Sequence, residues 1–178
     1  MAHLEYINII DFLTKAKEEK WYYSIVETTS IFSGSKNINL HYDNVEQISK
    51  QFSIPYYIVP NVKGGTLVLS KGDLFIAGIN QNNMNWYINT ILNFFKTKNI
   101  NCKFLGNDFV IYDLEKIGST FYGEINHQKV FGIWFNNSIN QELINQVCFN
   151  VPIKIPTALS TYGINPIEIL DYIQKQLV

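Results

Sequence analysis

Lys116, followed by Ile117, Gly118 and Ser119, is the residue with the clearest chemical use in this chain. A lysine set among small residues can hold its ammonium against an anionic ligand and neutralise charge developing at an activated carboxylate. Asn107-Asp108 lies at the other end of the run Phe109 to Tyr112, and a hairpin of that length returns the Asn-Asp end to the lysine. The plain alternative is a solvated surface lysine. Lys63-Gly64-Gly65 is a second candidate, because glycine lets backbone N–H groups approach a phosphate or carboxylate closely. An ordinary turn between strands explains the same residues. Cys148 is the third: a lysine beside it would lower the thiol pKa and make an acyl-accepting nucleophile, whereas alone it reads as a small buried hydrophobe. His3, His41 and His127 are far apart and show no metal-ligand spacing, so no metal site is expected. No G-x-S-x-G elbow and no P-loop is present.

Composition narrows the partners. All 14 basic residues are lysine, so the chain has no planar guanidinium with which to fork a phosphate. With a formal net charge of −1 there is no electrostatic case for nucleic acid or an anionic membrane. Hydrophobic residues at 47% against 16% charged exclude a disordered chain. Two cysteines are too few for a secreted disulfide framework, and the N-terminus lacks the pattern of a signal peptide. Apolar runs break well before the roughly 18 residues a bilayer span needs. The expectation is a cytoplasmic protein of one domain, 1–178.

The elements that must position these residues alternate between helix and strand patterns. Residues 4–20 read as an amphipathic helix with Leu4, Ile7, Ile10 and Leu13 on one stripe. Trp21 to Glu27 reads as a strand, Asn37 to Asn44 as polar loop, and a second helix is expected from Asp43 or Asn44, carrying Val45, Ile48 and Phe52 inward. Ile54 to Val59 reads as a strand and Ser70-Lys71-Gly72-Asp73 as a hairpin turn. Asn82 to Lys98 is the longest helix candidate; from Cys102 to Phe135 the pattern is short strands broken at Gly106-Asn107, Asp113, Gly123 and Asn126-His127. Helices return at 139–147 and 166–177, the last with Asn165 as N-cap and Pro166 at its first position. Helices flanking a mixed, mostly antiparallel sheet make the expected class α+β.

In order, these segments resemble the catalytic domain shared by biotin–protein ligases, lipoate–protein ligases and octanoyltransferases. Val26-Glu27-Thr28-Thr29-Ser30 resembles the Glu-Thr-x-Ser-Thr motif that touches the biotin head. Lys63-Gly64-Gly65 and Ser70-Lys71-Gly72-Asp73-Leu74 stand where the family has a Gly-Arg-Gly-Arg loop and a Ser-Pro-x-Gly-x-Leu hairpin. Lys103 to Asp108 is similar to Lys-Trp-Pro-Asn-Asp, Lys116-Ile117-Gly118-Ser119 to Lys-Ile-Gly-Gly, and Glu124 falls where biotin ligases end that strand with Glu. Val130 to Asn136 resembles Val-Ile-Gly-Ile-Gly-Ile-Asn, and Pro156-Thr157-Ala158-Leu159 stands where Ala-Thr-Ser-Leu precedes the final helix. The loop arginines have no counterpart here.

The resemblance implies that fold and, most closely, a biotin–protein ligase that attaches biotin to a lysine of a biotin carboxyl carrier or lipoyl-type domain through an acyl-adenylate, using ATP and Mg. It implies Lys116 as catalytic residue and Thr28, Ser30, Lys63, Gly64, Gly65, Asn107, Asp108, Ile117, Gly118 and Asn136 as ligand-binding. The alternatives are a lipoate ligase, an octanoyltransferase with Cys148 as nucleophile beside Lys116, or a catalytically degenerate member that only binds. Neither the DNA-binding domain nor the C-terminal domain of larger biotin ligases is expected, and the fold is compatible with a homodimer.

Overall fold

A computed structural model describes residues 3–34, 38–59, 61–63, 66–147 and 154–177. The chain opens with strand β1 (Leu4–Tyr6), helix α1 (Ile9–Lys15), β2 (Trp21–Ile25) and β3 (Ser30–Gly34), followed by α2 (Ile38–Phe52). Strands β4 (Tyr56–Val59), β5 (Val62–Lys63), β6 (Thr66–Leu69) and β7 (Leu74–Ile79) lead to α3 (Met84–Thr97). Next come β8 (Cys102–Leu105), β9 (Asp108–Ile111), β10 (Glu115–Ile125), β11 (Gln128–Phe135), α4 (Gln141–Val147), β12 (Ile155–Pro156) and α5 (Pro166–Gln176).

Two sheets result. The larger runs β1-β2-β7-β11-β10-β9-β8, with β12 and β5 also paired to β10; the smaller is β4-β3-β6. Among the described residues, only β1–β2 and β12–β10 are parallel in the larger sheet, as is β3–β4 in the smaller. This is the expected α+β class with a mixed, mostly antiparallel sheet. Strand alternation divides the apolar residues between two faces. One face of the large sheet (Ile76, Ile133, Phe135, Ile117) packs on α3 and α5 through Ile91, Phe95, Ile169 and Ile173. Its other face (Phe75, Phe121, Trp134) meets Phe32 and Leu69 of the small sheet and Phe12 of α1. Beyond it, Ile31 and Val68 pack against α2 and α4 through Val45, Ile48 and Leu143. Among the described residues no helix is long and apolar enough to cross a membrane.

Several local expectations are corrected. Residues 4–20 are not one helix. Leu4–Tyr6 pairs in parallel with Trp21–Tyr23, and the helix starts only where the Asn8 side chain accepts from Ile10 N. Sheet pairing and an N-cap overrule a 3–4 spacing that Leu4 happens to fit. The second helix begins at Ile38, not at 43 or 44, so His41 is helical and part of the expected polar loop is not loop; α2 with 15 residues is also longer than α3 with 14. Ser70–Asp73 is not a hairpin turn: β6 pairs with β3 and β7 with β2 and β11, so the turn carries the chain from one sheet to the other. Gly123 does not break its strand. A Cβ there would sit 2.2 Å from Asn61 O, so glycine admits β5 against β10 and the strand runs on to Ile125.

Candidate active site

The hairpin of β9 and β10 brings Lys116 and Asp108 together as expected, through a bulge. Lys116 lies opposite Val110 and Gly118 opposite Phe109, so Ile117 is an extra residue in the ladder. In a regular strand side chains alternate faces, and residues 116 and 119 would point oppositely. The extra residue reverses the alternation, and both now face the small sheet. Lys116 Nζ is 3.1 Å from Asp108 Oδ1, and Ser119 Oγ donates to the same oxygen at 2.9 Å. Ile117 and Gly118 take the opposite face, Ile117 fully buried in the α3/α5 core and Gly118 against Phe135.

Lys154 completes the cluster, donating to Asp108 Oδ2 at 2.9 Å. Burial would raise the Asp108 pKa, but the Lys154 hydrogen bond, the Lys116 charge and bond, and the Ser119 bond outweigh it and hold the carboxyl below its ordinary value. The Lys116 ammonium also lies 5.9 Å from the Trp134 ring centroid, within cation–π reach. Trp134 is held in turn: its indole N–H donates to Asp73 Oδ2 at 3.3 Å. Asp73 is wholly buried and accepts from Ser70 N at 2.9 Å and Asn137 N at 2.7 Å. Burial pushes its carboxyl up to about 6 despite these donors.

The other sequence candidates occupy varied places. Ser30, at the start of β3, shares the face of Phe32 towards the large sheet. Its Oγ is buried with no hydrogen-bond partner among the described residues. Thr28 is exposed in the bend before it. The Asn107 carbonyl accepts from Thr120 N at 2.8 Å and Ser119 Oγ at 3.1 Å, with the side chain outward. Asn136 is buried, and its amide donates to Thr157 O at 3.0 Å, clipping the end of β11 to the chain that flanks Lys116. Lys63 pairs with Tyr122 through its backbone; its side chain, Gly64, Gly65 and Cys148 lie outside the described residues. Among the described residues no group of three His, Cys, Asp or Glu side chains could hold a metal ion.

Sequence reasoning missed Lys154, Trp134 and Asp73 as site residues. Lys154 gives no local signal, since it reaches the site only through the parallel pairing of β12 with Glu115 and Lys116. The other two left a trace: a strand tryptophan needs an acceptor for its N–H when buried, and Asp73 is the acid that closes the turn leading to β7.

No family model and no curated protein matches the sequence. Solved structures do match. P. falciparum LipL1 in complex with lipoate superposes with a TM-score of 0.64 at 17% identity, over 95% of this chain and 52% of that one. The chain thus spans about half the length of that protein. The bipartite lipoate protein ligase of Thermoplasma acidophilum, solved as part of an archaeal lipoylation system with its E2 lipoyl domain, gives 0.66 at 11% identity, over 98% of this chain and 82% of that one. Biotin protein ligase from Aquifex aeolicus, with biotin and ATP, gives 0.51 at 10% identity, over 98% and 68%. At these identities the likeness is one of fold.

Proposed function

We propose that this chain, built on the fold of the biotin/lipoate–protein ligase catalytic domain, attaches a lipoate-type carboxylic acid to a lysine of a lipoyl-type carrier domain. The observation that carries the reading is the bulge that turns Lys116 towards the small sheet, above Trp134 and among Asp108, Ser119 and Lys154. Lipoate is favoured over biotin because the lipoate-related structures superpose at 0.64 and 0.66 and the biotin ligase at 0.51.

In this reading the acid's carboxylate attacks the α-phosphate of ATP and pyrophosphate leaves; the carrier amine then attacks the acyl carbon and AMP leaves. Both steps develop negative charge on oxygen, and a fixed ammonium stabilises such charge without reorganising. Two ammonium groups against one carboxylate suit an added anion, so the donor set fits a phosphate group. A magnesium ion would be held largely by phosphate oxygens and water, as that ion commonly is.

The test is to incubate the chain with ATP, a lipoyl domain or a biotin carboxyl carrier domain, and lipoate, biotin or octanoate, and weigh the carrier intact. A mass increase with lipoate that depends on ATP and is lost in Lys116→Ala supports the reading. No increase with any acid overturns it. Transfer of octanoyl from an acyl carrier without ATP, lost in Cys148→Ser, would replace it with the thiol route.

A further inference from the structure

Lys154 is surplus to the architecture around it. Its segment is already fixed by Ile155 N donating to Leu114 O at 3.0 Å and Thr157 N donating to Lys116 O at 2.9 Å. The Asn136 amide adds a bond to Thr157 O at 3.0 Å. None of these bonds uses the lysine side chain. Asp108 is also held on its other oxygen, by Lys116 at 3.1 Å and Ser119 at 2.9 Å on Oδ1. Lys154 nevertheless bonds Oδ2 at 2.9 Å, so two ammonium groups grip opposite oxygens of a single carboxylate.

That arrangement has a chemical reading. Two cations and one anion leave a net charge of +1, with 31% of the Lys116 and 29% of the Lys154 side chain still accessible. An ammonium carries three donors, and the Asp108 contact uses one of each. Ammonium groups converging on the two oxygens of a carboxylate are spaced for other oxyanions with neighbouring oxygens. A phosphoryl group is the member of that class with most charge. In a chain without arginine, two lysines must supply as point charges what one guanidinium supplies as a fork.

We propose that Lys154 is a substrate-binding residue, forming with Lys116 a two-ammonium seat for a phosphoryl group of a nucleotide, with Asp108 as the counter-ion that holds both lysines in place. The assignment rests on the acyl-attachment reading and deepens it by naming the phosphate-bearing co-substrate as what Lys154 meets. Lys116 serves acid and phosphate together; Lys154 serves the phosphate alone.

The experiment compares wild type, Lys154→Met and Lys154→Arg in two assays. In calorimetry with pyrophosphate at low salt, the Met variant should bind about tenfold more weakly, the loss expected for one charge-assisted hydrogen bond, and the Arg variant should recover most of it. In the carrier assay the Met variant should raise KM for ATP by about tenfold, with KM for the acid unchanged and kcat within about threefold. In the wild type, pyrophosphate should protect Lys154 from amine acetylation more than it protects exposed Lys17, read by peptide mass spectrometry; this arm does not depend on any variant folding. Pyrophosphate affinity and KM for ATP unchanged in a folded Met variant, or no protection of Lys154, would overturn the proposal. Weakened pyrophosphate binding in the Met variant of a chain that modifies no carrier would support the seat while the acyl reading fails; a working ligase indifferent to Lys154 would do the reverse.

Discussion

Lys116 and Ser119 stand on one strand with two residues between them, and both reach Oδ1 of Asp108, at 3.1 and 2.9 Å. Regular β geometry forbids this, and the extra residue Ile117 permits it. The candidate site therefore depends on register as much as on composition, and that dependence can be tested.

Gly118 keeps the bulge closed against β11. A Cβ there would lie 2.4 Å from Trp134 O and 2.6 Å from Phe135 Cδ1, so backbone must move. Gly118→Ala should destabilise the fold by about 2–3 kcal/mol, at the upper end for overpacking. Urea denaturation measures the loss, and a variant as stable as wild type would contradict the packing described.

Lys116→Ala should separate chemistry from stability. The Lys116–Asp108 pair is partly exposed, with 31% of the lysine side chain accessible, and Lys154 remains on the other oxygen. The stability change should stay within about 1 kcal/mol. Carrier modification should fall by about a hundredfold or more, as when a fixed group that stabilises transition-state charge is removed. Parallel melting curves and single-turnover rates decide it.

Asp73 sets a pH dependence of folding. Its carboxyl is raised to about 6 in the fold, against an ordinary value of 3.8. The folded state holds this proton to higher pH than the unfolded chain does, so Asp73's contribution to stability is greatest below about pH 4, declines as pH rises, and levels off above about 6. Asp73→Asn should remove that slope. At pH 7, where the carboxylate is ionised, it should also lower stability by about 1–3 kcal/mol, because an amide cannot accept from all of Trp134, Ser70 and Asn137 as a carboxylate does. Chemical denaturation at pH 4.5 and pH 7 compares the two proteins.

Cys102 should be chemically quiet. Burial pushes its thiol up to about 12, so at pH 8 only a trace is thiolate. Iodoacetamide should modify it more than about a hundredfold more slowly than a free thiol. Cys102→Ala should leave carrier modification unchanged; a loss of activity in a folded variant would implicate this thiol after all.

The legible parts of the molecule were those with short-range causes. Asn165 and Pro166 announce a helix start, and the structure has the full capping box with Glu168. The run from Cys102 to Phe135 announces antiparallel strands, and these bring Asp108 to Lys116. What stayed hidden is set by pairing between distant segments. Leu4–Tyr6 is a strand because Trp21–Tyr23 lies beside it. Ser70–Asp73 looks like a hairpin turn, since nothing local says that its two arms join different sheets. Lys154 enters only with β12, and the extra position of Ile117 exists only relative to β9.

The crossing at Ser70–Asp73 has a mechanical consequence. Asp73 is bonded at once to Ser70 at the end of the small sheet, to Trp134 in β11 and to Asn137 just beyond it. The two layers are riveted at this corner: a single buried side chain ties the edge of one sheet to the end of the other, so loosening it would free both at once.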